Sequence, residues 1–206
     1  MIKDSYKTII IPTEAELKIS KSKFISQVYP VTNSDEVTET ISSARKKFYD
    51  AAHHPFAYRL GLDKNNFRYS DDGEPSGSAG KPIMEVIDKF ELTDILIVVT
   101  RYYGGVKLGV GGLRRAIFDA SELAIQNSEI ITKHITENFN LEFDYKYIGA
   151  VMNFLEKESI IILKNDSDEK VKLECSVIVS QIDKFKDEIG KLTNASVIIS
   201  DKHSAL

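Results

Sequence analysis

The run Ile95-Leu96-Ile97-Val98-Val99-Thr100 is apolar up to its last residue and leads straight into RYYGGVKLGVGGLRRA. A short, branched, uninterrupted run of this kind predicts a strand covered on at least one face, because a solvated face would need alternating polar residues. From Leu113 onward, Ala116, Ile117, Ala120, Leu123 and Ala124 recur at helical spacing, leaving Arg114, Arg115, Asp119 and Glu122 on another face of a long helix. Strand and helix are joined by a turn in which Gly104, Gly105, Gly109, Gly111 and Gly112 fall within nine positions. Left-handed dihedrals in a tight connection account for two or three of these glycines, and the remainder would let the backbone approach a ligand closely. No Asp or Glu occurs between Asp94 and Asp119, whereas Arg101, Lys107, Arg114 and Arg115 do. Turn and helix start therefore predict a site for an anion, with backbone N–H groups pointing at it.

Two common nucleotide fingerprints are excluded. A phosphate-binding loop ending at Lys81 would need Gly six residues earlier and Ser or Thr after it, and the chain has Pro75 and Pro82 there. The dinucleotide pattern fails because Arg114 stands three residues after Gly111. An ordinary ATPase or dehydrogenase is not expected. The loop DDGEPSGSAGKP concentrates Asp71, Asp72 and Glu74, whose carboxylates either hold Mg²⁺ or, as we favour, shape turns around Gly73. GSAG is one residue short of a serine-hydrolase elbow. His53 and His54 are adjacent and so face opposite ways on an extended segment; His134 and His203 lie far off, and no chelating spacing occurs. Neither a metal site nor a cofactor is expected. Candidate chemical groups are His53 or His54 as acid, base or phosphate donor, with Asp72 and with Lys81 as a point charge. Tyr102 and Tyr103 end the strand with opposite orientations, one predicted in the core and one at the surface, where Tyr103 can stack on a base or anchor a partner.

With 206 residues, 42% apolar and 28% charged, the chain suits two globular domains. The net charge is −4, yet residues 1–136 balance 18 basic against 18 acidic side chains while residues 137–206 carry 9 against 13. Polyanion contact would be a local patch on the first domain, weakened by salt. No segment is long and apolar enough for a membrane span, and the expected location is cytoplasmic. The single Cys175 alternates with apolar residues and reads as a buried strand position.

Along the chain, KTIIIPTEAELKIS and SKFISQVYPV predict antiparallel strands, and Ser34 is placed as the cap of a helix carrying Val37, Ile41, Ala44 and Phe48. PFAYRLGL and NNFRYS predict a hairpin across DKNN, followed by the acidic loop and a short helix from Pro82. From about Glu137 the order is strand, helix, strand, strand, helix, strand, the ferredoxin-like β-α-β-β-α-β unit. Its second helix is predicted to start at a Ser180/Asp183 capping pair, and Asn165-Asp166 suits its hairpin.

Ser22-Lys23-Phe24, His53-His54, DDGEPSGSAGKP and RYYGGVKLGVGGLRRA together resemble the YigZ/IMPACT family. The resemblance covers nearly the whole chain. It implies an α+β protein of two domains: residues 1–136 as a ribosomal protein S-five domain-2-like α/β sandwich, and residues 137–206 as the ferredoxin-like unit. The pair is similar to domains IV and V of elongation factor G. The eukaryotic IMPACT branch regulates translation by competing for a partner that activates an initiation-factor kinase, whereas the bacterial branch has no settled biochemistry. Two departures stand out, Pro55 where a cysteine is expected after the histidines and Val110 where threonine is common. Covalent chemistry by either group is thereby weakened, and a backbone anion site is not.

The leading expectation is a translation-associated binding protein that presents Arg101, Tyr103, Lys107, Arg114 and Arg115, with Gly104, Gly105, Gly109, Gly111 and Gly112, to RNA, the ribosome or a translation factor. Two alternatives stay open: an enzyme on a small phosphorylated ligand, and a purely protein-binding regulator.

Overall fold

The computed structural model describes residues 4–62 and 65–202. Asp63 and Lys64 of the expected DKNN turn, and His203, lie outside the described residues. The chain forms two compact units, residues 6–133 and residues 134–202 together with Asp4 and Ser5.

The elements in order are β1 (Ser5–Ile9), β2 (Thr13–Ile19), β3 (Ser22–Pro30), α1 (Ser34–Lys47), β4 (Phe56–Leu60), β5 (Asn66–Ser70), α2 (Gly80–Lys89), β6 (Ile95–Tyr102), α3 (Gly109–Gln126), β7 (Ile130–His134), β8 (Thr136–Phe143), α4 (Ile148–Lys157), β9 (Ile161–Asn165), β10 (Val171–Ile178), α5 (Ile182–Leu192) and β11 (Ile198–Lys202). The larger unit is built on an antiparallel sheet of order β2-β3-β6-β4-β5. On the central strand β6, Ile95, Ile97 and Val99 join the core beneath α2 and α3, while Leu96 and Val98 join the core beneath α1. Cover on both faces is why the run carries no polar alternation.

Local chemistry sets the helix ends and corrects three expectations. Asn33, not Ser34, caps α1: its side-chain oxygen accepts the N–H groups of Asp35 and Glu36 at 3.1 and 2.9 Å, and the Glu36 carboxylate reaches back to the Thr32 N–H at 2.7 Å. Helix α2 begins at Gly80, before Pro82, because the distant Asp71 carboxylate accepts the N–H groups of Ala79 and Gly80 at 2.9 and 2.8 Å. Ser180 caps nothing; its hydroxyl donates to the Asp4 carboxylate at 2.7 Å, and α5 starts without a side-chain cap. Helix α3 likewise begins earlier than its apolar stripe, at Gly109. The strands β1 and β7 pair with each other, a partnership between segments distant in sequence that no local pattern announces.

The second unit is the split β-α-β-β-α-β arrangement, an antiparallel sheet of order β11-β8-β10-β9. Phe139, Leu141, Phe143, Val171, Leu173 and Cys175 face Val151, Leu155, Phe185 and Ile189 of the two helices in one core. Burial pushes the Cys175 thiol up to about 11, so it stays protonated and unreactive. No described helix is long and apolar enough to cross a membrane.

Candidate functional site

At the end of β6 the glycine turn swings away from the sheet and leaves a cleft of about 510 Å³ between the start of α3 and the segment carrying His53 and Glu74. Its walls are mixed: Arg101 and His53 at the floor, Tyr103 and Lys107 on the turn, and Leu108, Val110 and Leu113 on the helix side.

Arg101 does not offer a free charge. Its side chain is only 10% exposed, and its Nη1 donates to both Glu74 carboxylate oxygens at 2.7 and 2.8 Å, Glu74 being buried as well. The guanidinium carbon sits 5.7 Å from the Phe24 ring centroid and 5.5 Å from that of Tyr103, while Nε finds no partner among the described residues. A buried pair of this kind holds position more than it attracts ligand, since its field is largely spent inward. Arg114 is likewise engaged, donating to both Glu85 oxygens at 2.6 Å and to the Gly77 carbonyl at 3.4 Å. Arg115 and Lys81 are exposed but line other surfaces. Among the described residues, Lys107 is therefore the one cation lining the cleft without an ion-pair partner, where a ridge of several was expected.

The histidines diverge, as adjacent extended residues must. His53 faces the cleft, with Nδ1 at 2.8 Å from the Asp72 carbonyl. A carbonyl oxygen only accepts, so Nδ1 carries a proton, and in the neutral ring Nε2 is the atom with the lone pair. Gly73 makes room for this ring: its φ is +85°, and a Cβ there would stand 3.1 Å from His53 Cε1 and Nδ1. His54 is buried behind, its backbone N–H donating to the Asp72 carboxylate at 2.7 Å, and it does not line the cleft. Burial first of all holds the His54 imidazole below its ordinary value of 6.5, against a smaller upward pull from Asp72.

The three acidic-loop carboxylates go to three different places. Asp71 accepts N–H bonds from Gly77, Ala79 and Gly80; Asp72 pairs with Arg45 and the His54 N–H; Glu74 pairs with Arg101. They shape the loop and do not converge on a cation. Asp72 is also removed from the candidate acids and bases of the cleft, since it reaches that space only through its carbonyl on His53.

Three of the five glycines are explained by the fold. A Cβ on Gly104 would lie 2.0 Å from the Lys21 carbonyl oxygen, and Gly105 and Gly109 have φ of +79° and +71°. Gly111 meets nothing within 4 Å and Gly112 touches only the Leu108 Cβ at 3.4 Å. The Gly104 N–H is loosely held by the Ser22 hydroxyl at 3.3 Å. From Gly105 to Gly111 the N–H groups have no partner among the described residues, because Leu108 gives α3 no side-chain cap and no turn bond closes the loop. Tyr103 is 52% exposed above the cleft. Tyr102, expected in the core, is half-buried and donates its hydroxyl to Asp50 at 2.7 Å, which raises its pKa to about 12. The sequence reading missed the apolar wall of Leu108, Val110 and Leu113; the two valine-leucine steps of KLGVGGL were the available signal, masked by the glycines between them.

The Impact N-terminal domain family matches residues 20–125. The IMPACT family member YvyE of Bacillus subtilis is 32% identical over 197 residues, covering 96% of this chain and 91% of that protein. The Dictyostelium discoideum IMPACT homolog is 38% identical over 93 residues, 43% of this chain and 26% of its own. A solved crystal structure of a hypothetical protein shares the two-unit fold, with a TM-score of 0.67 at 25% identity over 98% of this chain and all of that one. With a match of this length and identity, the chain belongs to the IMPACT family.

Proposed function

We propose that this protein is a translation-associated RNA-binding protein whose cleft takes one unstacked nucleotide of its RNA. The observation that carries the reading is the row of N–H groups from Gly105 to Gly111 without a partner among the described residues, of which those of Lys107, Leu108, Gly109 and Val110 belong to residues lining a cleft that also holds an aromatic face and a hydrogen-bond acceptor. Phosphate fits the amides and Lys107. Tyr103, stiffened from beneath by the Arg101 guanidinium, supplies a stacking platform, and the lone pair of His53 Nε2 accepts a ribose hydroxyl. The four stretches that carry the family resemblance meet here: Phe24 under Arg101, His53, Glu74 with Pro75, and the glycine turn. A role in translation fits the family.

Binding of a labelled single-stranded RNA, and ribosome co-sedimentation, measured across a salt series test this. With Lys107 the one unpaired cation at the cleft among the described residues, log affinity should fall with log salt at a slope near −0.7 to −1.4, roughly one or two phosphates' worth. Tyr103→Ala should weaken binding about tenfold, Lys107→Glu should abolish it, and DNA of the same sequence should bind less well. No binding at low salt, or indifference to Lys107→Glu, rejects the reading.

A second reading draws on the His53 tautomer, which in the neutral ring is that of a general base facing the cleft. It makes the cleft a site for a small phosphorylated substrate. Saturable thermal stabilisation by one compound from a nucleotide and sugar-phosphate panel, lost in Lys107→Ala, would favour it.

A further inference from the structure

Away from the cleft, the five-stranded sheet ends on β5, whose outer edge pairs with no strand among the described residues. Its register against β4 places Phe67 opposite Arg59 and Tyr69 opposite Ala57. Arg59 reaches Met84 and Asp88 of α2, so both aromatics lie on the α2 face, where they are 48% and 44% exposed. Arg68, opposite Tyr58, lies on the α1 face. There an open groove of about 610 Å³ runs between β5 and α1, floored by Ile41 and Phe56 and lined by Lys46, Arg45, Arg68 and Tyr49, with no carboxylate. Arg45 is engaged by Asp72, which leaves Lys46 and Arg68 as its charges without an ion-pair partner among the described residues. Tyr49 is 85% exposed.

We propose that this edge is a docking site for an extended segment of a partner protein in which acidic and apolar residues alternate. An added strand continues the sheet through main-chain hydrogen bonds, and its side chains point alternately to the two faces. One set falls beside Lys46 and Arg68, where charge complementarity selects Asp or Glu. The other falls beside Phe67 and Tyr69, where an apolar residue covers exposed ring surface. The five residues of β5 fix the matching length. A second copy of the chain is the poorer occupant, although its other edge strand β2 alternates in a similar way. Glu14 of β2 already holds Gln27 and Lys47, Glu16 holds Lys18, and Ala15 is buried. The surface owes nothing to the cleft, so either can fail without the other.

The experiment titrates the full chain with fluorescent synthetic octapeptides of alternating Glu and Val, and with a block peptide of the same composition. The alternating peptide should bind about tenfold more tightly than the block peptide. Lys46→Glu combined with Arg68→Glu should lower that affinity about tenfold with an unchanged melting temperature, and Tyr69→Lys should lower it independently. Methylating alternate peptide nitrogens should abolish binding in one phase and spare it in the other, because only one edge of the peptide faces β5. Lys107→Glu should leave it unaffected. Equal binding of the two peptides, insensitivity to the double reversal, or equal tolerance of both methylation phases overturns the proposal. Self-association of the chain that Arg68→Glu abolishes would overturn it too, by assigning the edge to a second copy.

Discussion

Gly104 and Gly111 look alike in the sequence and do different work. A side chain at 104 collides with the backbone of Lys21, whereas one at 111 enters open space in the first turn of α3. Gly104→Ala should cost about 1–3 kcal/mol in a denaturant titration. Gly111→Ala should leave stability unchanged or raise it by up to about 1 kcal/mol in the same titration, and should leave RNA binding within about twofold, because Gly111 does not line the cleft. A second residue-scale prediction concerns His54. Its folded pKa lies below the ordinary 6.5 because of burial, so as pH falls through that value the unfolded chain takes the proton first. The stability that neutral His54 contributes is complete above 6.5 and is lost as pH drops toward the folded value. Melting temperatures between pH 7 and pH 5 should therefore decline less steeply in His54→Gln than in the wild type. The groups facing His54 are Asp72, Arg45 and His53, none of which the substitution removes.

Among the elements, strongly periodic ones were legible and their ends were not. The apolar stripe of α3 and the uninterrupted β6 announced themselves because each covers a core. Their boundaries depend on partners far away in sequence. Asp71 is the clearest instance: burial pushes its carboxyl up, and N–H bonds from Gly77, Gly80 and Ala79 outweigh this and hold it below the ordinary carboxylate range. That carboxylate fixes both the acidic loop and the start of α2. Its contribution is present above the ordinary carboxylate pKa and is lost as pH falls through the lowered value. Asp71→Asn should cost about 2 kcal/mol at neutral pH, measured by thermal unfolding, and should move Glu74 and Arg101 enough to weaken the cleft. The charge of the site was misread for the same reason. Arg101 and Arg114 are conspicuous beside the glycines, but their carboxylates, Glu74 and Glu85, sit on other elements.

Across the whole molecule, the division of charge seen in the sequence acquires a location. The second unit carries the acidic excess, and its core includes Phe139, Leu141, Val177 and Phe185. The family motifs gather in the larger unit, around one cleft where, among the described residues, Lys107 and a row of open amides stand in place of the local cluster of cations expected beside the glycines. Affinity for RNA should then be modest in its salt dependence and strongly sensitive to the ribose and the base. The direct measurement is a titration of the nitrogen-labelled chain with single-stranded RNA, following the backbone amide resonances. The amides of Gly105 to Gly111 should move together and saturably, with Tyr103 and His53, and should stay still in Lys107→Glu. Shifts that leave those amides unmoved while RNA binds elsewhere would contradict the assignment of this cleft.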